Sequence, residues 1–419
     1  MRSLLEAMGL FDIRIVVGFF LVLIGISVAI RKRLTQTRKI GSVEDVKTNP
    51  YEDIEPLKDF DWTNVDHVKL RPFRDVYHLT MGLQSCSLSE IVLMDKTYSE
   101  KVQLRQQLIA ERPDETIGFN PVARDAVFEL YSWIFENYLP KRFPSMFKAE
   151  DKLTEKGLRS RYVRNLVTQD LVPLSVPTPE ECLKTIGRHV DCEFAILLPI
   201  SDPNAAPFRA VPTMEPKEVF HMHAFVLAFP SGFTPRLKLG LPLAGIHGPV
   251  PGYSIKLEKS MDRYFASLPY GKVVQRANWS ISTDSVLFKL GGLHIDIRVA
   301  DDTASKSNGR PKANIEMAPP TYTPTDEEIA KWAEETKKVD PLKCSLRMER
   351  QTLHRLEKSG AIIFGFKTIL EPLSEIKKEG SGPKLAGALN GLRAGGVPAM
   401  DVYKDAVIWR EPLVEYLTS

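Results

Sequence analysis

The feature that most constrains the fold is a change of texture after the segment PEECLKTIGRHV. From there the chain runs through short apolar stretches cut by glycine and proline: EFAILLPI, HAFVLAFP, LKLGLPLAGI, VLFKLGGLHIDIRV and AIIFGFKTIL. These runs lie close together and carry turn signals between them. Parallel strands need a crossover of a dozen or more residues, so the pattern predicts an antiparallel sheet rather than βαβ units. Upstream the periodicity is helical, in LRQQLIAER and in PVARDAVFELYSWIFENYL, where Pro121 lies near the start and Pro140 marks the end. PEECLKTIGRHV, SMDRYFASL and DEEIAKWAEETKK read as further helices, and residues 380–396 as a glycine-rich loop. The expected class is α+β, with helices packed around an antiparallel sheet.

Composition narrows the function. A net charge of +3 over 419 residues is too small to imply nucleic acid, and no basic stripe is interleaved with aromatics. The cysteines Cys86, Cys182, Cys192 and Cys344 are irregularly spaced, without a CxxC pair, so neither a zinc ribbon nor a disulfide framework is expected. One segment is not globular in character: residues 15–30 (IVVGFFLVLIGISVAI) are continuously apolar, with Arg14 before them and Arg31-Lys32-Arg33 after them. No small-x-small cleavage site follows, and the basic excess lies on the C-terminal side. The expectation is a single-pass anchor in the endoplasmic reticulum membrane, with a cytosolic C-terminal domain and an unglycosylated NWS sequon at Asn278. The expected division is an anchor over 1–34, a polar linker over 35–65 and one domain over 66–419. Residues 301–341, rich in Pro, Thr, Ser and charge, form an exposed insertion in that domain.

Several groupings could carry chemistry. Gly245-Ile246-His247-Gly248-Pro249-Val250-Pro251-Gly252-Tyr253 holds one imidazole against a stiff turn. His247 could ligate a metal or haem, or be a satisfied turn histidine. His221-Met222-His223 would put two imidazoles on one side of a strand, but no third ligand follows at a diagnostic spacing. In Arg276-Ala277-Asn278-Trp279 a guanidinium and an indole lie close, suited to an anion or to a structural hydrogen bond. Leu346-Arg347-Met348-Glu349-Arg350-Gln351-Thr352-Leu353 is either a partly buried polar network or a solvated charged face. No P-loop, GxSxG elbow or HExxH occurs, and GLRAGG follows no predicted strand.

The order of these segments resembles the haem-dependent oxidative N-demethylase alpha-subunit-like family. The likeness rests on FPSGFTPRLKLGLPLAGIHGPVPGY, then SMDRYF, RANWSI, LRMERQTL with AIIFGFKTIL, and finally MDVYKDAVIWREPLVEYL. Upstream, MGLQ and ELYSWIFENYLPKRFP are similar too. The resemblance implies a PAS-like antiparallel sheet holding a non-covalent haem b. It implies oxidation of an amine or other small organic substrate by dioxygen, with electrons from a flavin or iron–sulfur reductase. On it, His247 matches the axial ligand of an IHxPVP motif, with Pro249 and Trp279 beside the cofactor. Arg276 matches the arginine of RxNW, and Glu349, Arg350 and Gln351 match the ERQ motif. Glu349 would relay protons and Arg276 would supply positive charge. Arg355-Leu356-Glu357 departs from the family's usual Arg-Leu-Pro, which leaves the substrate open. A PAS-like haem sensor or carrier without turnover is the alternative.

Overall fold

The strands, in chain order, are β1 (Gln84–Cys86), β2 (Ile117–Phe119), β3 (Phe147–Leu153), β4 (Arg159–Asn165), β5 (Leu171–Pro173), β6 (Glu193–Leu198), β7 (His221–Val226), β8 (Val273–Ser282), β9 (Ser345–Arg355) and β10 (Ile362–Pro372). They belong to a computed structural model that describes residues 53–153, 159–206, 219–298 and 316–419. Seven strands form one sheet in the order β1-β8-β9-β10-β6-β7-β2, every pair antiparallel. A second sheet, β3-β4-β5, had no counterpart among the expected strands. The α+β class therefore holds.

β8, β9 and β10 are the long centre of the main sheet. Their register pairs Asn278 with Glu349 and Glu349 with Thr368, one row away from Trp279, Met348 and Ile369. Because side chains alternate across a strand, these two rows face opposite sides of the sheet. On the Trp279 side, Trp279, Met348 and Ile369 pack under the helices Gly382–Gly391 and Ala406–Thr418. On the other side, Val274, Leu353 and Phe366 meet Tyr253, Leu257, Met261 and Phe265, brought by the helices Tyr253–Lys256 and Glu258–Ser267. Helix Pro179–His189 forms where expected, with Thr178 capping Glu181 N.

Several expectations are corrected. LKLGLPLAGI is not a strand: it holds a 3-10 turn (Pro235–Lys238) and the short helix Leu243–His247. VLFKLGGLHIDIRV has no strand among its described residues, only a bridge at Lys289. LKLGLPLAGI is apolar because Leu239, Leu243, Ala244 and Ile246 cover the sheet face of Val274 and Leu353. Leu287, Phe288, Ile295 and Ile297 of the second run pack in smaller clusters beside it, and both runs mimic strand composition. Their places in the sheet are taken by RANWSI and LRMERQTL, as β8 and β9. The glycine-rich stretch is largely helical, over Gly382–Gly391. Its glycines serve close approach: a Cβ on Gly391 would stand 2.6 Å from the Asp75 carbonyl oxygen. The helix before Pro140 does not end there. A π-helical segment, Trp133–Tyr138, leads into Leu139–Arg142, which holds the proline in its first turn and so needs no amide from it.

Chain from Asp53 onward belongs to one compact unit, with Ile54 buried and Leu57 N bonded to Arg142 O. In the 301–341 region, helix Asp326–Thr336 opens with a Thr325/Glu328 capping box and buries Trp332 beside Ala399 and Val402. The membrane localisation is withdrawn. Among the described residues no helix is long and apolar enough to cross a membrane, and the apolar segment 15–30 behind that expectation lies outside them.

Candidate functional site

A cavity of about 530 Å³ lies on the face of the main sheet that carries Val274, Arg276, Asn278, Glu349, Gln351 and Leu353. Helices Leu243–His247 and Glu258–Ser267 wall it opposite the sheet, and Met400, Tyr403 and Lys404 close one side. That volume suits a cofactor or a small organic ligand. Much of the lining is apolar, from Leu197, Met222, Phe364 and Phe366 among others.

His247 is the last residue of the helix Leu243–His247. The chain turns immediately after it: Val250 N bonds His247 O at 2.8 Å, and Gly252 sits at φ 71°, which favours glycine. A main-chain carbonyl can only accept, so His247 Nδ1 donates its proton to Leu243 O, 2.8 Å away. Nε2 is thereby left as the lone-pair nitrogen. The ring lies parallel to Tyr253, centroids 4.8 Å apart and planes 9° apart. Burial pulls its pKa down to about 4, so the imidazole is neutral at pH 7. The ring is partly exposed by area yet strongly desolvated, because the surface it keeps opens on the cavity.

Arg276 borders the same cavity, and its Nε is buried without a hydrogen-bond partner. Burial lowers its pKa, against the pull of Tyr77 and Glu349. Glu349 Oε2 accepts from Gln351 Nε2 at 2.7 Å and Asn278 Nδ2 at 3.3 Å. Gln351 sits two residues along β9, and Asn278 is Glu349's cross-strand partner on β8. Pro249 lines the cavity beside His247. Trp279 borders it, although its ring belongs to the core on the opposite face.

Arg350 is not brought to this site. Alternation along β9 sends it to the other face, where it donates to Cys86 Sγ at 3.3 Å. The two histidines of β7 are joined by no third ligand: among the described residues there is no group of three or more His, Cys, Asp and Glu that could hold a metal ion. His223 instead bonds Ile200 O and Asn120 Nδ2.

Some residues were missed. Lys404 is buried on the cavity wall and donates to Trp279 O. Its Nζ lies 5.2 Å from the Trp279 ring centroid and 6.0 Å from that of Tyr77. Burial pulls its pKa down to about 8, with Glu349 opposing, so it is an ammonium at neutral pH. Its only signal was membership of MDVYKDAVIWREPLVEYL, far along the chain from β8. His294 is a second neutral imidazole on the cavity, pulled down to about 3 by burial and stacked on Tyr403 at 4.5 Å. Arg347, fully buried, donates to Ser231 Oγ and the carbonyls of Phe229, Pro230, Val286 and Leu287, which ties down the loops beside the cavity.

Comparison with known families gives the same assignment as the motifs. A model described as haem-dependent oxidative N-demethylase, alpha subunit-like, matches residues 82–414, a span that takes in every strand and both cavity walls. The chain belongs to this family. The description implies a haem cofactor, a small-molecule substrate and oxygen. No curated protein matches the sequence.

Proposed function

We propose that the protein is a haem-dependent oxidoreductase of the monooxygenase or oxidative demethylase kind. In this reading the cavity holds a non-covalent haem b with His247 as axial ligand, within a domain over residues 66–419 whose antiparallel sheet is PAS-like. The observation that carries it is the state of His247: neutral, with Nδ1–H tied to the Leu243 carbonyl, and facing a cavity of cofactor size. Metal-binding histidines almost always donate their other ring N–H in this way, which fixes ring orientation and raises ligand basicity. Tyr253, stacked on the ring, restricts its rotation.

The rest of the wall also fits haem. Phe364, Phe366, Leu353 and Met222 supply an apolar bed, and Arg276 offers a desolvated guanidinium with an unpartnered Nε to a carboxylate or another anion. Bound haem supplies the iron at which dioxygen is reduced, with electrons from a flavin or iron–sulfur reductase. The residues of this chain then bind, orient and move protons. Glu349 is the cavity carboxylate held by two amide donors, which points it for proton transfer. Gln351 and Asn278 position it. Apolar walls keep bulk water from the reacting molecule.

The test is reconstitution of the full chain with haemin, followed by reduction under oxygen in the presence of N-methylated amines and other N-methyl compounds. The expected result is a Soret band at one haem per chain and formaldehyde release above the haem-only background. A Soret band with stable oxygen binding and no product would instead favour a sensor or carrier. Absence of stoichiometric haem binding would overturn the proposal.

A further inference from the structure

Lys238 ends the 3-10 turn Pro235–Lys238 and lines the cavity, and its Nζ donates at 2.6 Å to Ile246 O, the carbonyl just before His247. The Phe233 ring centroid lies 5.9 Å from the same nitrogen. Burial pulls its pKa down to about 8, with Arg298 adding to the fall and Asp296 opposing it, so it is an ammonium at neutral pH. Among the described residues no carboxylate forms an ion pair with it. Asp296 is committed to Arg298 through bonds of 2.9 and 3.0 Å, and Glu349 to the amides of Gln351 and Asn278. Arg276 makes no ion pair among those residues either, and its Nε is buried without a partner. Both cations stand near His247, whose pKa they help burial to depress. The other cavity cations are spent. Arg347 donates to Ser231 and four carbonyls, and Lys404, with Glu349 near it, donates to Trp279 O. Buried charges are as a rule paired, because only a partner recovers the cost of desolvation. Two buried cations without a carboxylate in one cavity mark a place for an anion that the chain does not supply.

We propose that Lys238 is a carboxylate-binding residue of the cavity and holds one of the two carboxylates of haem b, leaving Arg276 for the other. An ammonium–carboxylate bond is charge-assisted, roughly twice as strong as a neutral hydrogen bond. The inference rests on the haem-enzyme reading and deepens it, because it fixes which edge of the cofactor faces the Pro235–Lys238 turn. A substrate amine then enters a cavity whose two unpaired cations are already matched by the cofactor.

The test titrates the full chain with haemin and, separately, with haemin dimethyl ester, whose two carboxylates are methylated and uncharged, following the Soret band. The wild type is expected to bind haemin more tightly than the ester by about tenfold or more. Lys238→Gln keeps a donor for Ile246 O and removes the charge. It should weaken haemin binding by about tenfold while leaving the ester affinity and the Soret position unchanged. Lys238→Arg should retain the wild-type preference. A lysine that only braces the turn would weaken both forms alike on substitution, and that result overturns the proposal. So does equal affinity of the wild type for haemin and its ester, which decides the matter even if the glutamine variant fails to fold. Absence of a Soret band with either form is a separate outcome: it removes the haem reading and this inference with it, whereas a band without a preference removes this inference alone.

Discussion

His354 gives a sharp test of the electrostatics of the main sheet. It lies on β9, on the face away from the cavity, 4% exposed, with Nδ1 and Nε2 both buried without hydrogen-bond partners and Trp133 beside its ring at 5.1 Å. Burial pulls its pKa from 6.5 to about 3. Between pH 6.5 and 3 the unfolded chain therefore holds a proton there that the folded chain does not. Stability must fall as pH drops through that window. With those two values the linkage integral at pH 5 comes to about 2 kcal/mol, against almost nothing at pH 7.5. Leucine has no titrating group and a similar volume, so His354→Leu should remove that share of the acid sensitivity. The assay is urea unfolding of haem-free protein at pH 7.5 and 5.0, comparing the pH-dependent change in unfolding free energy. Any constant offset from repacking cancels in that difference. The other buried histidines, including His189, contribute equally to both proteins. The variant should lose about 2 kcal/mol less than the wild type on acidification. An equal loss in both would mean that His354 is solvated or partnered in the folded state, and the reasoning fails.

Two further outcomes follow from packing. Gly391→Ala places a methyl against the Asp75 and Arg74 carbonyls, 2.6 and 3.0 Å from the new Cβ, and should cost about 1–3 kcal/mol. Thermal unfolding would show it as a lower Tm, and an unchanged Tm would contradict the close approach. Arg347→Met strips donors from buried carbonyls in the 229–231 and 286–287 loops, so it should cost about 3 kcal/mol or more by urea unfolding. A loss below 1 kcal/mol would show that those loops do not depend on it.

Much of this architecture can be read from residue order, and the failures share a cause. EFAILLPI and AIIFGFKTIL are strands because apolar runs bounded by turn residues fill the middle of a covered sheet. LKLGLPLAGI has the same composition, yet lies across the sheet as a turn and a short helix. Composition reports burial, and burial alone does not separate a strand from the segment that covers it. β8 and β9 were hidden for the opposite reason. Their polar residues, Arg276, Asn278, Glu349 and Gln351, face a cavity rather than solvent, so alternation looked like a charged surface. The same alternation separates Arg350 from its motif neighbours, which a linear motif cannot express. Lys404 and His294 were out of reach because their roles depend on contacts with Trp279 and Tyr403 made only in the folded chain.

The central claim is that His247 holds the iron, and the most direct measurement is chemical rescue. The full chain carrying His247→Gly, reconstituted with haemin, should lose the wild-type Soret position and most of its haem affinity. Millimolar imidazole in the buffer should restore the wild-type spectrum by filling the space left under Leu243 O. His294→Gly, which removes the other cavity imidazole, should keep that spectrum without imidazole. A His247→Gly protein spectrally identical to the wild type, or loss and imidazole rescue in His294→Gly instead, would contradict the assignment.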